Sequence, residues 1–175
     1  MEISMQPLYD PEAVRPMWEE LAGVGVEPLH TAEEVDAAFA DQSQGTLLLV
    51  INSVCGCAAA GARPGVSLGL QHERIPDRMV TVFAGVDRAA VARAREHLSA
   101  VPPSSPCVAL FKDGKLIHIL ERRHIEQMEA RAIAQDLAQA FDAHCTRQGP
   151  SVTPEAFAKV VNVMQCSSTI PRYPG

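Results

Sequence analysis

The sequence lacks the segments that direct a chain into or across a membrane. No apolar run approaches the roughly 18 residues that a membrane-spanning helix needs. The first residues, MEISMQPLYDPEA, contain neither the basic segment nor the apolar segment of a signal peptide. Positive charge is also scarce, with 15 lysines and arginines against 21 acidic residues and a net charge of −6. We therefore expect a cytoplasmic protein that binds neither membranes nor nucleic acids.

Cysteines are few, and their spacing does not indicate a disulfide framework. The chain has five of them, Cys55, Cys57, Cys107, Cys145 and Cys166. An odd number without a regular pattern is not typical of a crosslinked scaffold, and the cytosol keeps thiols mostly reduced. Only one residue separates the first two cysteines. In a cytosolic protein this close pair indicates redox or metal chemistry rather than a structural crosslink.

Apolar runs and amphipathic segments alternate along most of the chain. A length of 175 residues and a hydrophobic content of 47% suit one domain with a sizeable core. The run TLLLVI at 46–51 fits a strand that is buried on both faces. Further strands are predicted at 79–84, 107–111 and 116–120, and helices at 11–22, 31–40, 58–71, 87–98 and 125–144. The helix at 58–71 is expected to break or kink at Arg63-Pro64. This alternation predicts an α/β fold, with helices on both faces of a central sheet.

The last thirty residues form a separate extension. The sequence Gln148-Gly149-Pro150 indicates a boundary, and Thr153-Pro154 has the residue types that begin a helix. Beyond that short helix the tail SSTIPRYPG is expected to be irregular. We therefore divide the chain into a domain at 1–145 and a C-terminal extension at 146–175. Cys166 lies in this extension and is expected to be a surface cysteine; the alternatives are a second redox thiol and a contact in a homodimer.

The paired cysteines lie between the end of a predicted strand and the start of a predicted helix. Free backbone N–H groups and the positive end of the helix dipole lie at a helix N-terminus, where they stabilise a thiolate. Cys55, nearer the loop, is the expected nucleophile, and Cys57 is the expected resolving or supporting thiol. Gly56 is a suitable spacer because glycine tolerates unusual backbone angles. We expect a disulfide across this single residue to be strained and easily reduced.

A second interpretation of the cysteine pair is a metal-binding or redox-sensing module. Two close thiolates could bind zinc together with Cys107 or with one of the histidines at 72, 118 and 124. The chain has no second CxxC pair and no HxxxH pair to complete such a site. We expect no metal, and the metal content of the purified protein would decide between the two interpretations.

Five stretches of the sequence resemble the bacilliredoxins, which are thioredoxin-fold proteins with a CGC active site. The stretches are TAEEV at 31–35, VINSVCGCAAAGARPG at 50–65, TVFAGVDR at 81–88, PPSSP at 102–106 and FDAHC at 141–145. The resemblance implies a thioredoxin-like fold with a central mixed sheet. It also implies a thiol–disulfide oxidoreductase that removes low-molecular-weight thiols, bacillithiol in particular, from client proteins. No cofactor is expected beyond this small thiol as co-substrate.

The same resemblance suggests further site residues. Pro106 stands where thioredoxin-like proteins carry a cis-proline beside the nucleophile, and the backbone of Ser105 would be free to pair with a substrate chain. Arg63 could contact a thiolate or a carboxylate-bearing thiol, or lie solvated at the end of a helix. Thioredoxins carry a buried acid near the position of Leu49 and an aromatic residue at that of Val54. This sequence has neither the acid nor the aromatic residue, and both differences from thioredoxins indicate a slower active site, or one centred on Cys55.

The remaining candidates have a simpler interpretation. Cys107 could lie within reach of Cys55 or Cys57, but we expect it to be a small buried core residue, as free cysteine often is. Cys145 is expected to be a partly buried residue at the end of the last helix rather than a redox thiol. The basic cluster of Arg122, Arg123 and His124 is interpreted as a solvated loop before the last helix of the domain, with contact to a ligand as the alternative.

Overall fold

The computed structural model describes residues 5–41, 44–165 and 167–175. Its helices are α1 (Pro11–Ala22), α2 (Ala32–Asp41), α3 (Arg63–Gly69), α4 (Arg88–Glu96), α5 (Arg122–Ile125), α6 (Ala130–His144) and α7 (Pro154–Ala158). Its strands are β1 (Glu27–Pro28), β2 (Thr46–Asn52), β3 (Arg74–Ile75), β4 (Arg78–Phe83), β5 (Cys107–Lys112), β6 (Lys115–Leu120) and β7 (Arg147–Gln148). None of the described helices is long and apolar enough to cross a membrane. Cys166 falls outside the described residues.

A mixed sheet of five strands forms the centre of the molecule, in the order β1-β4-β2-β5-β6. Strands β1, β4 and β2 are parallel, β5 runs antiparallel to β2, and β6 runs antiparallel to β5. The end of β2, the start of β5 and the end of β6 therefore meet at one edge of the sheet. With helices on both faces, this is the thioredoxin-like α/β fold that the resemblance implied.

The central strand β2 is buried along its whole length, as the run TLLLVI predicted. Leu48 and Val50 face a core layer shared with α3 and α6. Leu47, Leu49 and Ile51 point to the opposite face, where they join a layer with α2 and α4. Alternate side chains of a strand point to opposite faces, so a continuous apolar run is what a sheet between two helical layers requires.

Most predicted caps and turns are confirmed. Thr31 and Glu34 form a capping box at the start of α2, with each side chain accepting from the backbone N–H of the other. Asp113 and Gly114, both with positive φ, make the tight turn between β5 and β6. The prediction of one helix over 125–144 is wrong, because α5 ends at Ile125 and α6 begins only at Ala130.

The helix after the cysteines runs through Arg63-Pro64 without breaking, contrary to the prediction. Residues Ala58–Ala62 form a π-helical turn that leads directly into α3, where Pro64 lies in the first turn. Because proline has no N–H, Pro64 cannot donate to a carbonyl of this preceding turn. The carbonyl of Ala59, five residues before Pro64, accepts instead from the side chain of Asn162 in the extension.

The C-terminal extension folds back over the domain. Strand β7 pairs with β3, and Thr153 caps α7 by accepting from the N–H of Ala156. The irregular chain beyond α7 then reaches the N-terminal segment, where the N–H of Tyr173 donates to the carbonyl of Leu8. The predicted short helix is present as α7, and the tail is irregular except for a turn of 3-10 helix at Ser167–Thr169.

Candidate active site

Cys55 lies at the point where β2 ends and the following helix begins, as the sequence predicted. Its carbonyl accepts from the N–H groups of both Ala58 and Ala59 and so begins the first helical turn. Its own N–H donates to the hydroxyl of Ser53. The thiol is half-buried. Cys55 is thus held in a fixed position at a helix N-terminus and remains accessible to solvent.

The two thiols of the CGC segment are in direct contact. The sulfur atoms of Cys55 and Cys57 lie 2.7 Å apart, and both cysteines are free thiols. Hydrogen bonding between them stabilises one thiolate at a time. The pair therefore has the arrangement for thiol–disulfide exchange, in which one sulfur attacks and the other stays close enough to follow.

The surroundings of the pair favour ionisation of Cys55 over that of Cys57. Burial alone opposes ionisation of Cys55, but hydrogen bonds from Cys57, from Ser53 and from the N–H of Ala58, together with the charge of Arg122, lower its pKa. Burial, together with the hydrogen bond and the negative charge of Cys55, raises the pKa of Cys57 to about 11. The assignment of Cys55 as the nucleophile agrees with this difference.

Gly56 leaves the approach to the two sulfurs open. A side chain at this position would meet no atom within 4 Å of its Cβ. Gly56 is exposed and does not adopt the positive φ found at Gly85 and Gly114. The expected need for an unusual backbone conformation is therefore not observed.

The loop before β5 carries the cis peptide bond that the resemblance implied. The bond between Ser105 and Pro106 is cis. Ser105 lines the same pocket as Cys55. The backbone of Ser105 is only partly free to pair with a substrate chain, because its carbonyl already accepts from the guanidinium of Arg122 at 3.3 Å.

Arg122 lies beside the reactive pair and is not simply part of a solvated loop. It follows the end of β6, at the sheet edge where β2 also ends, and it lines the pocket that contains Cys55. Its charge lowers the pKa of both Cys55 and Cys57, while its Nε forms an ion pair with Glu126 at 2.5 Å. The sequence signal that could have placed Arg122 here is the predicted hairpin of β5 and β6. If β5 pairs antiparallel with β2, the end of β6 returns to the end of β2, next to the CGC segment.

Arg63 does not lie where a substrate could contact it. Its side chain is completely buried, and its Nε pairs with the carboxylate of Glu20 at 2.9 Å. Its other nitrogens donate to the side chain of Asn52 and to the carbonyls of Ser53 and Val163. The expected ligand contact is therefore wrong for this structure. Arg63 instead anchors the segment that leads into Cys55, a role that sequence reasoning missed together with Glu20.

Cys107 is buried, as predicted, and Cys145 is buried more completely than the partial burial that was predicted. Cys107 is 3% exposed and Cys145 is 2% exposed. Burial raises the pKa of Cys107 to about 12 and that of Cys145 to about 11. Both thiols stay protonated at neutral pH and are poor nucleophiles. Among the described residues, no group of three or more His, Cys, Asp or Glu side chains is placed to hold a metal ion.

Comparisons with known proteins agree with this chemistry. Residues 9–145 match the family described as disulphide isomerase. A bacilliredoxin of Salinibacter ruber is 51% identical over 143 residues, which cover 81% of this chain and 84% of that protein. A bacilliredoxin of Cytophaga hutchinsonii is 50% identical over 135 residues, which cover 77% of this chain and 98% of that protein.

A third bacilliredoxin, from Halalkalibacterium halodurans, is 47% identical over 137 residues, covering 78% of this chain and 94% of that protein. Among solved structures, thioredoxin O2 from Arabidopsis thaliana in the oxidized state gives a TM-score of 0.48 at 13% identity, over 67% of this chain and 96% of that one. The match of the disulphide isomerase family to most of the chain, together with the high identity of these three relatives, establishes the family. The chain belongs to the bacilliredoxins, a family of thiol–disulfide oxidoreductases.

Proposed function

We propose that this oxidoreductase removes low-molecular-weight thiols of the bacillithiol type from mixed disulfides of client proteins. The observation that carries the proposal is the difference between the two thiols of the CGC pair, which are in contact: the pKa of Cys55 is lowered and that of Cys57 is raised. One accessible thiolate is thus available for attack while its neighbour stays protonated. That order suits a reaction in which a small thiol is first taken up by a single cysteine.

In the first step the thiolate of Cys55 attacks the sulfur of the small thiol. A new S–S bond joins Cys55 to the small thiol as the bond to the client cysteine breaks. The client leaves as a thiolate, which takes a proton from solvent. The open approach over Gly56 leaves room for a client protein on this side of the sulfur. Electrons are exchanged between sulfurs only, so this chemistry requires no cofactor.

The second step releases the small thiol from Cys55. A free thiol from solution can attack the mixed disulfide and leave with the small thiol as a disulfide, restoring the Cys55 thiolate. Cys57 can instead attack the sulfur of Cys55, which releases the small thiol and oxidises the pair. Two of the causes that raise the pKa of Cys57, the hydrogen bond and the charge of Cys55, disappear once Cys55 is in a disulfide. Cys57 therefore ionises more readily after the first step than before it.

Single cysteine variants test these roles on a client protein that carries bacillithiol or glutathione. We expect Cys55→Ser to abolish removal of the small thiol, and Cys57→Ser to retain the thiol as an adduct on Cys55. Intact-mass analysis followed by peptide mapping locates the adduct. Cys145→Ala, at a buried thiol outside the pocket, is the control and should behave as the wild type.

Two results would contradict the proposal. Removal of the small thiol by Cys55→Ser at the wild-type rate would exclude Cys55 as the nucleophile. An adduct found on Cys57 would reverse the two roles. Faster removal of glutathione than of bacillithiol by the wild type would leave the exchange chemistry in place and would exclude bacillithiol as the preferred thiol.

A further inference from the structure

A pocket of about 390 Å³ adjoins Cys55. Its volume lies within the range that small-molecule sites occupy. Two serines, Ser53 and Ser105, and the ring of Tyr9 contribute to its walls. Two arginines, Arg95 and Arg122, also line it. A small molecule attached to Cys55 would therefore lie between positively charged groups, in a protein whose net charge is −6.

The two arginines differ in how their charge is balanced. Arg122 is paired with Glu126. On α4, Arg93 is paired with both Asp36 and Glu96. Arg95, on the same helix, has no ion pair within the described ranges, and its Nε is buried without a hydrogen-bond acceptor. A partly buried cation without a partner is unfavourable, and an anion bound in the pocket would balance the charge of this guanidinium.

The two arginines also differ in how firmly they are held and in whether their charge acts on the reacting sulfur. Arg122 is fixed by its bonds to Glu126 and to the carbonyl of Ser105. Its charge acts on the thiols themselves. Arg95 comes from a different element and is not held by such bonds within the described residues, so the two terminal nitrogens of its guanidinium can serve as donors to a ligand. Guanidinium groups bind carboxylates through two parallel hydrogen bonds.

We propose that Arg95 binds the carboxylate of the small thiol that Cys55 accepts, and so selects for acidic thiols. The inference rests on the proposed function, because it concerns the thiol transferred in the first step. After that step the client has left, and the small thiol alone remains attached to Cys55 inside the pocket. A carboxylate close to Arg95 at this stage therefore belongs to the small thiol, and not to an acidic residue of the client.

Two symmetrical disulfides of similar size test the proposal. One is 3,3′-dithiodipropionic acid, which carries carboxylates, and the other is 2-hydroxyethyl disulfide, which is neutral. In both, the thiolate of Cys55 displaces one half of the disulfide and keeps the other, and the displaced thiolate takes a proton from solvent. The measured quantity is the ratio of the two rate constants for adduct formation on Cys55, followed by mass analysis. Comparing this ratio between variants cancels the intrinsic reactivity of each disulfide.

We expect Arg95→Gln to lower the ratio of acidic to neutral rate by about tenfold, the scale of one charge-assisted hydrogen-bonded contact. Arg95→Lys should retain part of the ratio because it keeps the charge. Arg93→Gln, two residues away on the same helix and paired outside the pocket, is the matched control and should leave the ratio unchanged. In the wild type, salt should lower the ratio, since ions screen the attraction.

A second pair of substrates separates the two sources of a carboxylate. Short peptides carry 2-mercaptoethanol on a cysteine that is followed by Asp in one peptide and by Asn in the other. If Arg95→Gln changed the ratio for these peptides and not for the small disulfides, the carboxylate would belong to the client and the proposal would be wrong. Equal ratios in the wild type and in Arg95→Gln would overturn the subsite alone. No adduct on Cys55 with any disulfide would overturn the proposed function itself, and the subsite with it.

Discussion

The substitution Arg63→Met tests the buried ion pair beneath the active site. The side chains of Glu20 and Arg63 are 1% and 0% exposed, with Nε and Oε2 2.9 Å apart. Methionine keeps an apolar stem of similar length and removes the charge. The carboxylate of Glu20 then stays buried with two neutral donors, the side chain of Asn162 and the N–H of Val163. Breaking a buried pair in this way costs about 3–5 kcal/mol of unfolding free energy.

Urea denaturation followed by circular dichroism measures this loss. In a chain of this size the same loss corresponds to a fall in Tm of roughly 6–20 °C. The double variant Glu20→Gln with Arg63→Met removes both charges, and we expect it to be more stable than Arg63→Met alone by about 1–3 kcal/mol. Arg93→Met breaks an exposed pair and serves as the control, with an expected loss below about 1 kcal/mol.

Two outcomes would refute this reasoning. One is an Arg63→Met variant within about 1 kcal/mol of the wild type, which would mean that the carboxylate of Glu20 does not depend on its partner. The other is a double variant as unstable as the single one. In that case the loss would come from the unfilled acceptors of Asn52, Ser53 and Val163, and not from an uncompensated charge.

Two further predictions concern the thiol pair and the extension. Cys57→Ala removes a hydrogen bond to the Cys55 thiolate. It should therefore raise the pKa of Cys55 and move the pH profile of its alkylation by iodoacetamide to higher pH. Cys57→Ser keeps a donor and should shift this profile less. Identical profiles for Cys57→Ala and the wild type would contradict the prediction. Asn162→Ala removes the donor to Oε1 of Glu20 and the donor to the carbonyl of Ala59, while Oε2 of Glu20 keeps its bonds to Arg63 and Val163. It should cost about 1–3 kcal/mol in urea denaturation, and a loss no greater than that of the exposed control Lys159→Ala would count against the contact.

The parts of the site that could be predicted depend on local sequence. The buried strand before Cys55, the helix after it and the turn at 113–114 each have a pattern within a few residues. The parts that could not be predicted depend on distant pairing. The two partners of the Arg63–Glu20 pair lie 43 residues apart, and Arg63 reaches Val163 from 100 residues away. A lone arginine after a cysteine motif gives no sign of which carboxylate it will meet. Only the fold decides whether it faces the substrate or the core.

The extension has a structural connection to the reactive cysteines, although the family match ends at residue 145. Asn162 links the carboxylate of Glu20 to the carbonyl of Ala59, in the π-helical turn directly after Cys57. Arg63 connects the same carboxylate to the carbonyl of Ser53, two residues before Cys55. The buried pair is therefore bonded to the backbone on both sides of the CGC segment. Since a thiolate at a helix N-terminus depends on where the backbone N–H groups point, loss of these contacts should affect the ionisation of Cys55 as well as the stability of the fold.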